Sequence, residues 1–128
     1  MTTMTTTTEP QIVNGVDVDK VHDLIASIEA DSTCGDMQFR ARNEWLGGGF
    51  NRTQVKEFFV GGSEDRTRTE SFELHADEPP VLASADRAPN PVEFILHALA
   101  GCLTTTLVYH AAVRGIEIEA AESTLAAR

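Results

Sequence analysis

The chain has 128 residues and a formal net charge of −10, with 41% apolar and 23% charged residues. That is room for one domain with its own core, and it argues against a nucleic-acid surface, because only ten Lys and Arg are spread over the whole length. Two widely separated cysteines make no disulfide framework, and no basic, apolar, small-residue leader opens the sequence, so the cytoplasm is the expected compartment.

Residues 1–15 begin with the threonine-rich run MTTMTTTTEP, which has nothing to bury and is expected to be an unstructured tail. Residues 16–36 are expected to form a short amphipathic helix and a turn. Val18, Val21, Ile25 and Ile28 recur at helical spacing, Asp17 stands as a cap, and DSTCG makes the turn that carries Cys34. From Met37 the period changes to two. Phe39 and Ala41 alternate with Arg40 and Arg42, a Gly47-Gly48-Gly49 turn follows Trp45, and a second alternating run passes through Val55 and Phe58, which together predict a β-hairpin over 37–59. Thr69 to Ala76 reads as a third strand, and the proline-rich Asp77 to Pro91 as a loop.

The most distinctive stretch is Asn90 to Gly115, NPVEFILHALAGCLTTTLVYHAAVRG. Asn90 is a good N-cap, Pro91 suits the first helical position, and Glu93 is placed to reach back to the cap's N–H. Arg114 and Gly115 supply the stop. The spacing predicts a buried helix of about 24 residues, about 36 Å long. Ile95, Leu99, Cys102, Thr106 and Tyr109 share one face, while Leu96, Leu103 and Leu107 line the next. The length would also suit a bilayer, yet His97, Gly101, His110 and three threonines dilute the run and no aromatic belts flank it, so no membrane span is expected. Ile116 and Ile118 begin what reads as one last strand. A helix apolar almost all round cannot be covered by so little chain. Either a partner covers it, making at least a dimer, or further sequence does.

The pattern NPVEFILHALAGCLTTTLVYHA, preceded by a hairpin with a Trp-x-Gly-Gly turn and an arginine just after it, resembles the OsmC/Ohr family of thiol-dependent hydroperoxide reductases, in its OsmC-like branch. The resemblance covers roughly residues 38 to 128, so that 37–128 is expected to be the OsmC-like domain, with the helix motif the more specific part. It implies an α+β fold with an antiparallel sheet around a long central helix, an intertwined homodimer, and a peroxidase role in oxidative-stress defence. It implies that Cys102, in ALAGC, is the peroxidatic cysteine, and that Arg52, after the glycine turn, holds it as thiolate. Three departures stand out. Val92 occupies the place of the acid that follows Asn-Pro in the hydroperoxide-resistance branch, and the acid comes one position later as Glu93. The family's resolving cysteine belongs to a C-terminal half that looks incomplete here, and Cys34 matches no family cysteine.

A thiolate attacks one peroxide oxygen and leaves as a sulfenic acid, whereas the thiol does not react. An ordinary cysteine has a pKa near 8.5, burial raises it, and Cys102 lies about twelve residues from the helix start, beyond reach of the dipole. A cation is therefore required, and Arg52 is the candidate; Arg40, Arg42, Arg66 and Arg68 compete for the role. Without the family pattern, Cys102 reads as a small core residue. Glu93, Leu99 and Tyr109 could line a substrate pocket, although capping accounts for Glu93 and packing for Tyr109. His97 and His110 are too far apart on one helix to share a metal ion, and Thr104 to Thr106 can bond back to helix carbonyls. No metal and no cofactor is expected. The expected partners are a second copy, a small hydroperoxide and an external thiol, with no nucleic acid and no membrane. The alternatives are a non-catalytic dimer cavity for an apolar small molecule, or a purely structural domain.

Overall fold

Asn14 and Gly15 both take positive φ, 52° and 76°, and reverse the chain between two short strands, β1 (Ile12–Val13) and β2 (Val16–Asp17). The computed structural model describes residues 9–128. Most of the tail expected over 1–15 thus lies outside the described residues, but Ile12 and Val13 form β1, and Val13 packs against the small core. Asp17 then caps α1 (Val18–Ala30), its carboxylate accepting the Lys20 N–H at 3.1 Å. Asp31 accepts from Thr33 and opens a single 3₁₀ turn, Ser32–Gly35, in which Cys34 is half-buried.

The hairpin expected over 37–59 is split between two three-stranded antiparallel sheets. One is built from β3 (Met37–Gln38), β6 (Phe58–Val60) and β7 (Ser63–Asp65), in the order β3-β6-β7. The other is built from β4 (Arg42–Gly47), β5 (Phe50–Val55) and β8 (Phe72–Ala76), in the order β4-β5-β8. The split has a local cause. Phe39 stacks on Phe58 with ring centroids 5.4 Å apart, and Arg40 forks onto Glu64 of β7, so residues 39–41 leave the ladder to serve these contacts. A register shift between Trp45 and Gly47 bends β4 into the glycine turn, where Gly47 and Gly48 have φ of 116° and 60° that side chains rarely tolerate.

The last helix, α2 (Pro91–Val113), starts as the sequence requires. The Asn90 side chain accepts the Glu93 N–H at 2.8 Å, and the Glu93 carboxylate accepts the Asn90 N–H at 3.0 Å, a complete capping box. It ends at Arg114, with Gly115 left-handed at φ 69°. Its surroundings differ from the expectation of a buried central helix. Neither sheet wraps it; it packs chiefly on α1 and β1, and only Ala111 and Ala112 are buried. The core is the patch where Val16, Val18 and Ala112 meet, flanked by Val13, Val21, Val108 and Val113. Ile95 is 66% exposed and Leu103 54%. Among the described residues α2 is the one helix long and apolar enough to cross a membrane.

Ile116 and Ile118 form no strand, contrary to the alternation of the sequence. Their backbone is taken instead by the Asn14 side chain, whose Nδ2 donates to the Ile116 carbonyl and whose Oδ1 accepts the Ile118 N–H, both at 2.9 Å. One turn amide thus replaces a ladder partner.

Candidate functional site

Cys102 is a free, exposed thiol near the middle of α2. At about 100° per residue Val113 lies only about 20° round the helix from it, so the face carrying Cys102 is packed at its C-terminal end, through Val113, and exposed around the sulfur itself. Leu99 and Tyr109, on the same face, are each 49% exposed. Thr105 reaches back to the carbonyls of Gly101 and Cys102, at 3.0 and 3.2 Å, and so uses its hydroxyl within the helix.

Arg52 lies in the middle of β5, directly across from Glu44 on β4 and His75 on β8. Residues opposite one another share a face of the sheet, and here that brings Arg52 Nη2 to 2.6 Å from Glu44 Oε1. Arg52, expected after the glycine turn, is two residues into the strand, and its guanidinium is paired with a carboxylate. No hydrogen bond joins it to Cys102 among the described residues. Within one chain the two residues that the resemblance makes catalytic are therefore not bonded to each other.

The remaining candidates sit apart. Glu93 is occupied by the capping box. Tyr109 borders an apolar cleft with Val21, Ile25, His110 and Val113, between α1 and α2. The sheet approaches α2 at its first turn, where Thr53, Leu74 and Ala76 face Pro91 and Phe94 across a cleft of about 290 Å³. Among the described residues no cluster of His, Cys, Asp and Glu is arranged to hold a metal ion.

One residue that organises this region was not legible in the sequence. Asp77, at the end of β8, is completely buried, and its carboxylate gathers four donors: the Ser84 hydroxyl at 2.5 Å, the Glu78 N–H at 2.8 Å, and the Arg87 N–H and Nε–H, both at 3.0 Å. These bonds, led by the Ser84 hydroxyl, hold the acid well below the usual carboxylate range despite burial, which acts the other way. Ser84 also accepts the Gly49 N–H at 3.1 Å, so the proline-rich loop is tied to the glycine turn that precedes Arg52. Arg87 lies over the Phe50 ring at 4.6 Å, and that ring stacks on His75 at 5.5 Å. An acid placed before two prolines looks like an ordinary loop residue, so the only sequence signal was its position at the end of an alternating run.

No protein-family model matches the chain, and no curated protein matches it significantly.

Proposed function

We propose that the chain is an OsmC-like, thiol-dependent reductase of organic hydroperoxides that works as a homodimer, with Cys102 as nucleophile and Arg52 as its activating cation. The observation that carries the reading is the uncovered stretch of α2 around Cys102. A free thiol stands there among Ile95, Leu99 and Leu103, on an apolar surface too large for a monomer to leave wet. A second copy laid on that face would exclude water from the sulfur and bring a guanidinium from the partner's sheet. The cytoplasm remains the proposed compartment.

In this reading the thiolate of Cys102 attacks one peroxide oxygen, the O–O bond breaks, and the alkoxide leaves and takes a proton to become the alcohol. The sulfur is left as a sulfenic acid. A first external thiol condenses with it, releasing water and forming a mixed disulfide; a second displaces Cys102 and leaves as the oxidised reductant. Arg52 stabilises both the starting thiolate and the departing oxygen. The apolar residues beside Cys102 favour fatty or aromatic hydroperoxides over hydrogen peroxide. Consumption of cumene hydroperoxide with dithiothreitol as reductant tests this: the wild-type chain turns over and Cys102→Ser does not. Equal turnover by the two proteins would discard the reaction and leave the alternative, a dimer cavity that merely binds an apolar molecule.

A further inference from the structure

The ten Lys and Arg are scattered along the sequence, but folding gathers five of them at the junction of the two sheets. The run that leaves β3 for β4 contributes Arg40 and Arg42, the run between β5 and β6 contributes Lys56, and the segment after β7 contributes Arg66; with Gln54 they line a groove of about 410 Å³. Arg68 is the fifth. It stands beside the groove, donating to the Lys56 carbonyl at 2.7 Å and lying over the rings of Phe58 and Phe72.

The charges in the groove do not balance. Two carboxylates, Glu57 and Glu64, face four cations, and Glu64 is already claimed by both arms of Arg40. Among the described residues Arg42, Lys56 and Arg66 have no ion-pair partner, in a chain whose net charge is −10. An acidic protein that sets four cations against two carboxylates in one concavity has a local field opposite to its overall one. Because the Debye length at physiological salt is about 8 Å, the distant carboxylates are screened while a ligand inside the groove feels the cations directly.

We propose that this groove is a binding site for a phosphate group carried by a small molecule. A single carboxylate has two oxygens and one charge and would match one of the free cations. A phosphate monoester has two charges and three terminal oxygens, which suit two guanidiniums and an ammonium arriving from three separate segments. The groove lies in the sheets and not on α2, so the site stands whether or not Cys102 reduces peroxides.

The test is a titration of the ¹⁵N-labelled chain with inorganic phosphate at constant ionic strength, followed by NMR at Arg42, Lys56 and Arg66. The expected result is saturable shifts confined to the groove, with a dissociation constant of about 1 mM or tighter. In Arg42→Gln/Lys56→Gln, checked as folded by circular dichroism, affinity falls at least about tenfold, while Arg114→Gln on α2 binds as the parent does. Shifts that rise linearly without saturating, that chloride reproduces, or that persist in the folded double variant would overturn the site.

Discussion

Arg52 and Glu44 face each other across the β4–β5 ladder with 2.6 Å between Nη2 and Oε1, so the residue proposed to activate Cys102 is held by a carboxylate of its own sheet. Their side chains are 34% and 49% exposed, and an ion pair that wet contributes at most about 1 kcal/mol to stability. The pair therefore holds a direction more than it holds the fold. Arg52→Ala is expected to lower hydroperoxide turnover about 10- to 100-fold, the value of one hydrogen bond to a charged group, while the melting temperature hardly moves. Glu44→Gln removes the competing negative charge and is expected to raise turnover at neutral pH. Steady-state rates and thermal melts of both variants check this.

Asp77 makes a prediction about pH. Its folded-state pKa is depressed, so its stabilising bonds are complete above the unfolded carboxylate value near 3.9 and are lost as pH falls through the lower folded value. Thermal melts should show stability declining below about pH 5. Asp77→Asn should melt well below the parent at pH 7 and show a shallower decline in acid, because the amide presents a donor to a site that offers only donors.

Gly49→Ala should act on the same knot. A Cβ there would meet Ser84 Oγ at 3.1 Å, and Asp77 Oδ1 and Glu78 Cβ at 3.2 Å, so the loop must shift to admit it. At Gly101, in the exposed interior of α2, a Cβ meets nothing within 4 Å, and helix propensity alone favours alanine by about 1 kcal/mol. Chemical denaturation should therefore show Gly49→Ala destabilised and Gly101→Ala slightly stabilised in the isolated chain.

How much of this was legible in the sequence depended on how local each cause was. The ends of α2 were readable because Asn90, Pro91, Glu93 and Gly115 act within a few residues of themselves. Strand β8 was readable from its alternation for the same reason. Asp77 was not, since its meaning comes from Gly49, far back in the chain, through Ser84. Ile116 and Ile118 alternate as a strand would, yet the side chain of Asn14, about a hundred residues earlier, takes their backbone groups. The apolar girth of α2 was read as more than so short a chain could cover, and most of that helix is indeed exposed in the single chain, because the two three-stranded sheets pair among themselves. The pairing of Arg52 with Glu44 was not legible, because a regular hairpin closing on Gly48 and Gly49 would set Arg52 opposite Trp45, and the register shift between Trp45 and Gly47 moves it to Glu44.

The proposed dimer contact can be tested without chemistry. Leu103 is 54% exposed in the single chain, so Leu103→Glu costs that chain little, but it would place a charge in the middle of the proposed dimer contact. Light scattering should find the parent dimeric and Leu103→Glu monomeric, with unchanged circular dichroism. Glu93→Gln supplies the control: the amide oxygen can still accept the Asn90 N–H, so assembly and turnover should stay within about twofold of the parent.

The most direct measurement is the rate of alkylation of Cys102 against pH in the Cys34→Ser background, with and without Arg52→Ala. The account predicts an apparent pKa well below the ordinary 8.5 in the parent, moving up when the guanidinium is removed. A value at or above 8.5 that does not respond to Arg52 would mean that the sulfur is not held as a nucleophile, and the reductase reading would fall.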